Sequence, residues 1–116
     1  MVRFARLLAA ALMAGGAMPL AAATGPSDAE IAHIAYTAGA LDAAAAKQAL
    51  AKTSDPQVRA FAETMLRDHE AVNGKALALV SKLKVRPPDN TTSQALAAQA
   101  KATERKLATV DGKAFD

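Results

Sequence analysis

The fold is decided by the stretch Phe61-Ala-Glu-Thr-Met65-Leu-Arg-Asp68-His69-Glu-Ala-Val72, which lies inside the segment Pro56–Lys84. Apolar residues recur in this segment at steps of three and four, and such spacing places them in one stripe of an α-helix. His69 is a titratable side chain in the middle of this apolar stripe, so it is the first candidate for a functional residue. The full stripe comprises Val58, Phe61, Ala62, Met65, His69, Val72, Ala76, Leu79, Val80 and Leu83.

Two further helices are predicted on either side of this segment. Ser27 and Glu30 have the spacing of a capping box, which predicts a first helix over about residues 28–53. Pro56 suits the first turn of the second helix, about 56–84, and two prolines then forbid its continuation. A third helix is predicted over about 93–110, before Asp111-Gly112.

The predicted fold class is all-α, because no segment alternates apolar and polar residues as a strand would. Only Ser54 and Asp55 separate the first two helices, and so short a connection makes neighbouring helices antiparallel. The sequence therefore predicts a long antiparallel helical hairpin plus a third helix. Three helices leave one apolar flank uncovered, which predicts a homo-oligomer or a partner helix on that face.

The hairpin brings a carboxylate to the height of His69. Asp42 stands thirteen residues before Asp55 and His69 fourteen after it, so both should face the core side at one level, away from water. One interpretation is a structural Asp–His pair that fixes the helix register. A second is a transition-metal or proton site of His69 and Asp42, with either Met65, a soft ligand, or Asp68 as a further donor. A third leaves His69 exposed to solvent at a fraying edge. No other cofactor is predicted.

The first 23 residues have the pattern of a signal peptide. Arg3 and Arg6 form a positive start, an apolar run follows, and Ala21–Ala23 suits a signal peptidase. Without them, Lys and Arg fall from 14 to 12 against 11 Asp and Glu, a net charge of +1. We therefore expect residues 24–116 to be one domain in the periplasm or cell envelope, with no membrane span after signal removal.

Several function classes are disfavoured by composition and motifs. The chain has no cysteine, which excludes disulfides and thiolate metal sites. It shows no basic patch with interleaved aromatic residues, so no nucleic-acid partner is predicted. No nucleophile elbow or glycine-rich phosphate loop is present, and Leu66 stands where a Glu-x-x-His motif ending at His69 requires glutamate. The chain is predicted not to be an enzyme.

A family resemblance rests on the turn Ser54-Asp-Pro-Gln-Val58 and the run Phe61-Ala-Glu-Thr-Met-Leu-Arg-Asp-His69, preceded by Gly39 and Asp42. These residues resemble the exported bacterial proteins grouped as domain of unknown function 4142. The ending Gly112-Lys-Ala-Phe-Asp116 is similar to the opening of that family's last helix. The resemblance implies a ferritin-like helical bundle of the periplasm or outer membrane, with a stress or envelope role and no established reaction. It also implies a last helix with a further histidine that this sequence lacks, so the sequence is either a fragment or finds its fourth helix elsewhere.

Overall fold

Three α-helices make up most of residues 25–116. The structure is a computed structural model that describes residues 25–116; the predicted signal peptide, 1–23, lies outside the described residues. The helices are α1 (Asp28–Lys52), α2 (Pro56–Lys82) and α3 (Thr91–Ala108), followed by a 3-10 turn, Gly112–Ala114. Residues 25–116 contain no strand. The predicted all-α fold class, a helical hairpin with a third helix, is confirmed.

The starts of α1 and α2 are fixed by side-chain caps. The Ser27 hydroxyl accepts from the Glu30 amide at 3.3 Å, and the Glu30 carboxylate accepts from the Ser27 amide at 2.8 Å. This is the predicted capping box. At α2 the cap is Asp55, whose carboxylate accepts from the amides of Gln57 at 2.7 Å and Val58 at 3.1 Å. Gln57 thus takes part in this cap through its backbone amide.

α2 ends at Lys82, two residues before the predicted end. Lys84 adopts a left-handed conformation with φ of 55°, which breaks the helix without a glycine. The amide of Lys84 donates to the Ser81 carbonyl at 3.1 Å, and that of Val85 donates to the Val80 carbonyl at 3.0 Å. This hydrogen-bond pair is a Schellman motif, which satisfies carbonyls that the last turn would leave free.

α3 begins at Thr91, two residues before the predicted start. Asn90 is the cap: its side chain accepts from the Ser93 amide at 3.0 Å, and the Ser93 hydroxyl accepts from the Asn90 amide at 3.1 Å. Ser93 is therefore the third residue of α3 and completes a capping box whose first member is Asn90. Thr91 and Thr92, which precede the predicted start, therefore belong to the first turn of the helix.

α1 is the central helix, because it packs against both α2 and α3 while those two make few contacts with each other. The approach to α2 is closest at Gly39, where an added Cβ would lie 2.5 Å from Oδ1 of Asn73. The Asn73 amide donates to the Tyr36 carbonyl at 3.3 Å across the same interface. Small residues fill the remainder of the contact: Ala43, Ala46 and Ala62 are buried.

Packing against α1 covers only one side of the apolar stripe of α2. Ala62 is buried and His69, Asn73 and Val80 are partly buried, so this side of the helix faces α1. The neighbouring side is open: Phe61 is 66% exposed, Val72 62%, Leu79 55% and Leu83 60%. We call these last four residues the open stripe. None of the helices within residues 25–116 is long and apolar enough to cross a membrane.

Candidate functional site

The Asp42–His69 pair lies where the hairpin geometry places it. Nε2 of His69 is 3.5 Å from Oδ2 of Asp42, across the interface between α1 and α2. The distance suits an ion pair when the imidazole is protonated, and it exceeds that of an ordinary hydrogen bond. Gly39 lies one turn before Asp42 in α1, and Asn73 lies one turn after His69 in α2. The close approach of these two residues holds the helices in this register.

The pair is not removed from water, contrary to the expectation from sequence. The side chain of His69 is 31% exposed and that of Asp42 is 50% exposed. The reason is the open flank: α3 covers a different side of α1, so nothing in residues 25–116 closes over the pair. Two charged groups in contact with water contribute little to stability as an ion pair.

The same exposure defines what the pair can do chemically. An imidazole and a carboxylate that face solvent together can share a proton or contribute two ligands to a metal ion. Met65, one turn before His69, is partly buried, and Asp68 is exposed and pairs with Arg67 at 2.9 Å. Within the part of the chain that the structure describes, no group of three or more His, Cys, Asp or Glu side chains could hold a metal ion.

A shallow groove runs between α1 and α3, next to Asp42. It has a volume of about 460 Å³ and is lined mostly by alanine and leucine, among them Leu41, Leu96 and Leu107. Gln48 crosses it, since its side-chain amide donates to the Glu104 carbonyl at 2.9 Å. Small apolar side chains and few polar atoms make this groove a packing defect between helices rather than a site with converging functional groups.

The C-terminal end of α3 is held by a lysine of α1 that the sequence analysis did not single out. Nζ of Lys52 donates to the carbonyls of Leu107 at 3.0 Å, Ala108 at 3.2 Å and Val110 at 2.6 Å. It also lies 3.2 Å from the Asp111 carboxylate and 5.3 Å from the centre of the Phe115 ring. The periodicity of α1 gives no sign of this role, because every partner lies more than fifty residues away.

A second contact missed from the sequence joins α1 to the start of α3. Nδ1 of His33 lies 3.4 Å from the Thr37 hydroxyl and 3.9 Å from the Asp89 carboxylate. Hydrogen bonds from Ser93, and then from Gln94, hold the pKa of Asp89 below its ordinary value of 3.8. Asp89 therefore stays ionised at neutral pH and secures the first turn of α3.

Four of the seven large apolar side chains that are exposed within residues 25–116 belong to the open stripe of α2. Its four side chains leave on the order of 400 Å² in contact with water, close to the largest patch of a typical monomeric protein. They lie along one line of the helix over twenty-three residues, from Phe61 to Leu83. A long, narrow apolar line has the shape of a helix-binding face.

Comparison with known families gives one match. The chain matches the family described as "Domain of unknown function (DUF4142)" over residues 14–116. A search of curated proteins found no match, and a search of solved structures found none either.

Proposed function

The chain belongs to the family of domain of unknown function 4142, and we propose that it is an exported, non-catalytic protein that binds a helix. The observation that carries the proposal is the open stripe of α2. Its residues are exposed by 55–66%, although they belong to the most regular apolar pattern of the chain. A face of this size in water favours association, because burying apolar area is the main driving force for contact between helices.

Export is supported by the sequence of the first 23 residues. A positive start, an apolar run and a small-residue cleavage site follow one another in the order typical of a signal peptide. The absence of cysteine from the whole chain suits an oxidising compartment, because no thiol is present to form a wrong disulfide. We therefore assign the helix-binding activity to the periplasm or cell envelope, where a stress or maintenance role would be exercised.

A non-catalytic role is supported by the chemistry of the charged groups. The side chains of His69 and Asp42 are 31% and 50% exposed, and no serine, threonine or lysine of a nucleophile motif accompanies them in the sequence. The apolar groove beside Asp42 offers few polar atoms to orient a substrate. The pair is best explained as a polar contact that sets the register of α1 against α2.

The proposal is tested by thiol labelling in cells. Because the chain has no cysteine, Val72→Cys introduces a single reporter at the centre of the open stripe. The matched control is Ala78→Cys, also exposed on α2 but about 120° around the helix axis. If a helix covers the stripe, the thiol of Val72→Cys reacts at least about 10-fold more slowly in cells than in dilute purified protein, whereas the thiol of Ala78→Cys reacts equally fast in both. Equal rates for Val72→Cys in the two settings would refute the proposal.

A second candidate function is metal binding at His69 and Asp42, with Met65 as a third ligand. It is favoured by the 3.5 Å separation of Nε2 and Oδ2 and by the access of both atoms to solvent. The test is equilibrium dialysis of the full chain against copper, zinc, iron or manganese, compared with His69→Gln. His33→Gln is the control, because His33 is the other histidine of the chain. Stoichiometric metal lost only in His69→Gln supports the site; no stoichiometric metal in the wild type contradicts it.

A further inference from the structure

We infer that the helix bound by the open stripe is α2 of a second copy of this chain, packed antiparallel with a twofold axis at Val72. The inference rests on the proposed helix-binding function and names its partner. It is carried by three observations: the spacing of the stripe, the charges beside it, and the apolar area that it leaves in water.

The spacing of the stripe is the same in both directions from Val72. Phe61 and Leu83 each lie eleven residues from Val72. Leu79 lies seven residues after Val72, and the partly buried Met65, next to the stripe, lies seven residues before it. An antiparallel partner with its axis at Val72 therefore places Phe61 against the partner's Leu83, Met65 against the partner's Leu79, and the two Val72 side chains together. Self-complementarity of this kind is what a twofold interface requires.

The eleven-residue repeat also keeps the stripe straight. Eleven residues correspond to slightly more than three whole turns of an α-helix, so Phe61, Val72 and Leu83 stay within about 40° of one line. Two such helices can remain in contact over the whole stretch, about 34 Å, without strong supercoiling.

Charges beside the stripe select the antiparallel direction. Asp68 lies four residues before Val72, and Lys75 lies three residues after it on the same edge of the stripe. In the antiparallel pair these residues meet across the interface twice, Asp68 of each copy with Lys75 of the other. In a parallel pair the twofold axis runs along the helices and puts this edge of the two copies on opposite sides of the contact, so neither Asp68 nor Lys75 would meet its opposite charge.

The size of the stripe suits a weak, specific dimer. Pairing two stripes with their flanking residues would remove roughly 1,000 Å² from water in total, near the lower limit for specific interfaces. Within residues 25–116 no helix covers this side, because α3 packs on α1 and makes few contacts with α2. We therefore expect a dissociation constant on the order of 1–100 μM.

Disulfide crosslinking tests the register directly, using single-cysteine versions of the full chain under mild oxidation. Val72→Cys should form a covalent dimer rapidly, and Ala78→Cys should not. Phe61→Cys mixed with Leu83→Cys should form mixed dimers, whereas each of these alone should form almost none, since its two cysteines would lie about 33 Å apart. Covalent dimers of Phe61→Cys alone would indicate a parallel pair and overturn the inference.

Sedimentation of the uncrosslinked protein provides the second measurement. Val72→Asp would place two carboxylates together on the twofold axis and should weaken dimerisation by about 100-fold or more. Ala78→Asp, on another side of α2, should leave the dissociation constant unchanged. Circular dichroism shows whether each variant stays folded, which exposure at both positions favours. A wild-type chain that stays monomeric up to roughly 100 μM would overturn the inference.

The two proposals fail separately. Suppose that the thiol of Val72→Cys is protected in cells, while the purified wild type is monomeric and purified Val72→Cys forms no covalent dimer. The stripe then binds a helix of another protein, so helix binding stands and the inference fails. If the thiol of Val72→Cys is unprotected in cells and no dimer forms in solution, both fail.

Discussion

Replacing Lys52 by methionine should release the end of α3 from α1. The ammonium group donates to three carbonyls, at 2.6–3.2 Å, that follow or belong to the last turn of α3. The side chain is 20% exposed, so water replaces these bonds only in part. Methionine keeps most of the apolar stem and removes the charge, which isolates the polar contribution.

The magnitude follows from the contacts. Hydrogen bonds from a charged donor contribute about 1.5–3 kcal/mol here, and the cation–π contact with Phe115 adds about 0.5–1 kcal/mol. The pair with Asp111 adds little, because that carboxylate is 89% exposed. We therefore expect Lys52→Met to lower the free energy of unfolding by about 2–4 kcal/mol.

Urea unfolding measures the loss, and Lys47→Met is the matched control on the same helix. Lys47 pairs with Glu70 at 2.9 Å, but both side chains are more than half exposed, so its loss should cost about 0–1 kcal/mol. Hydrogen exchange should quicken over the last turn of α3 in Lys52→Met alone. If Lys52→Met costs no more than Lys47→Met, the assigned role of Lys52 is wrong.

Two further predictions concern the helix interface and the start of α3. Gly39→Val should destabilise the chain by about 2–3 kcal/mol, because the branched side chain meets Asn73. Gly74 lies in open space, so Gly74→Ala should stabilise the chain by up to about 1 kcal/mol. Thermal unfolding compares the two variants, and equal effects would contradict the close approach at Gly39. Asp89→Asn should destabilise the chain at neutral pH and lose its effect as the pH falls. The pKa of Asp89 is lowered in the folded chain, so its contribution is fully present above its ordinary value of 3.8 and is lost as the pH falls through the lower folded-state pKa. Melting curves between pH 3 and 7 test this, and a difference from wild type that does not shrink toward the acid end would contradict it.

The helices and the level of the Asp42–His69 pair were predictable because they depend on local spacing. The capping box at Ser27 and the proline turn at Pro56 fix where helices begin, and each signal lies within four residues. Counting outward from a two-residue turn then sets which residues of α1 and α2 face each other. That count places the imidazole and the carboxylate at one level, and the structure shows them 3.5 Å apart.

The exposure of the pair and the contacts of Lys52 were not predictable in the same way. A stripe of apolar residues shows that a helix has a buried side but does not show which neighbour covers which part of it. Phe61 and Ala62 are adjacent in the same stripe, yet one is 66% exposed and the other 3%. Lys52 finds its partners on α3 through tertiary packing, which has no signature in the local sequence of α1.

The most direct test of the proposed dimer is the melting temperature, measured at two protein concentrations 100-fold apart. Association with a second copy stabilises each chain by mass action, so the wild type should melt roughly 5 °C or more higher at the greater concentration. Val72→Asp should melt at one temperature in both. A wild-type melting temperature that does not change with concentration would contradict the proposed dimer.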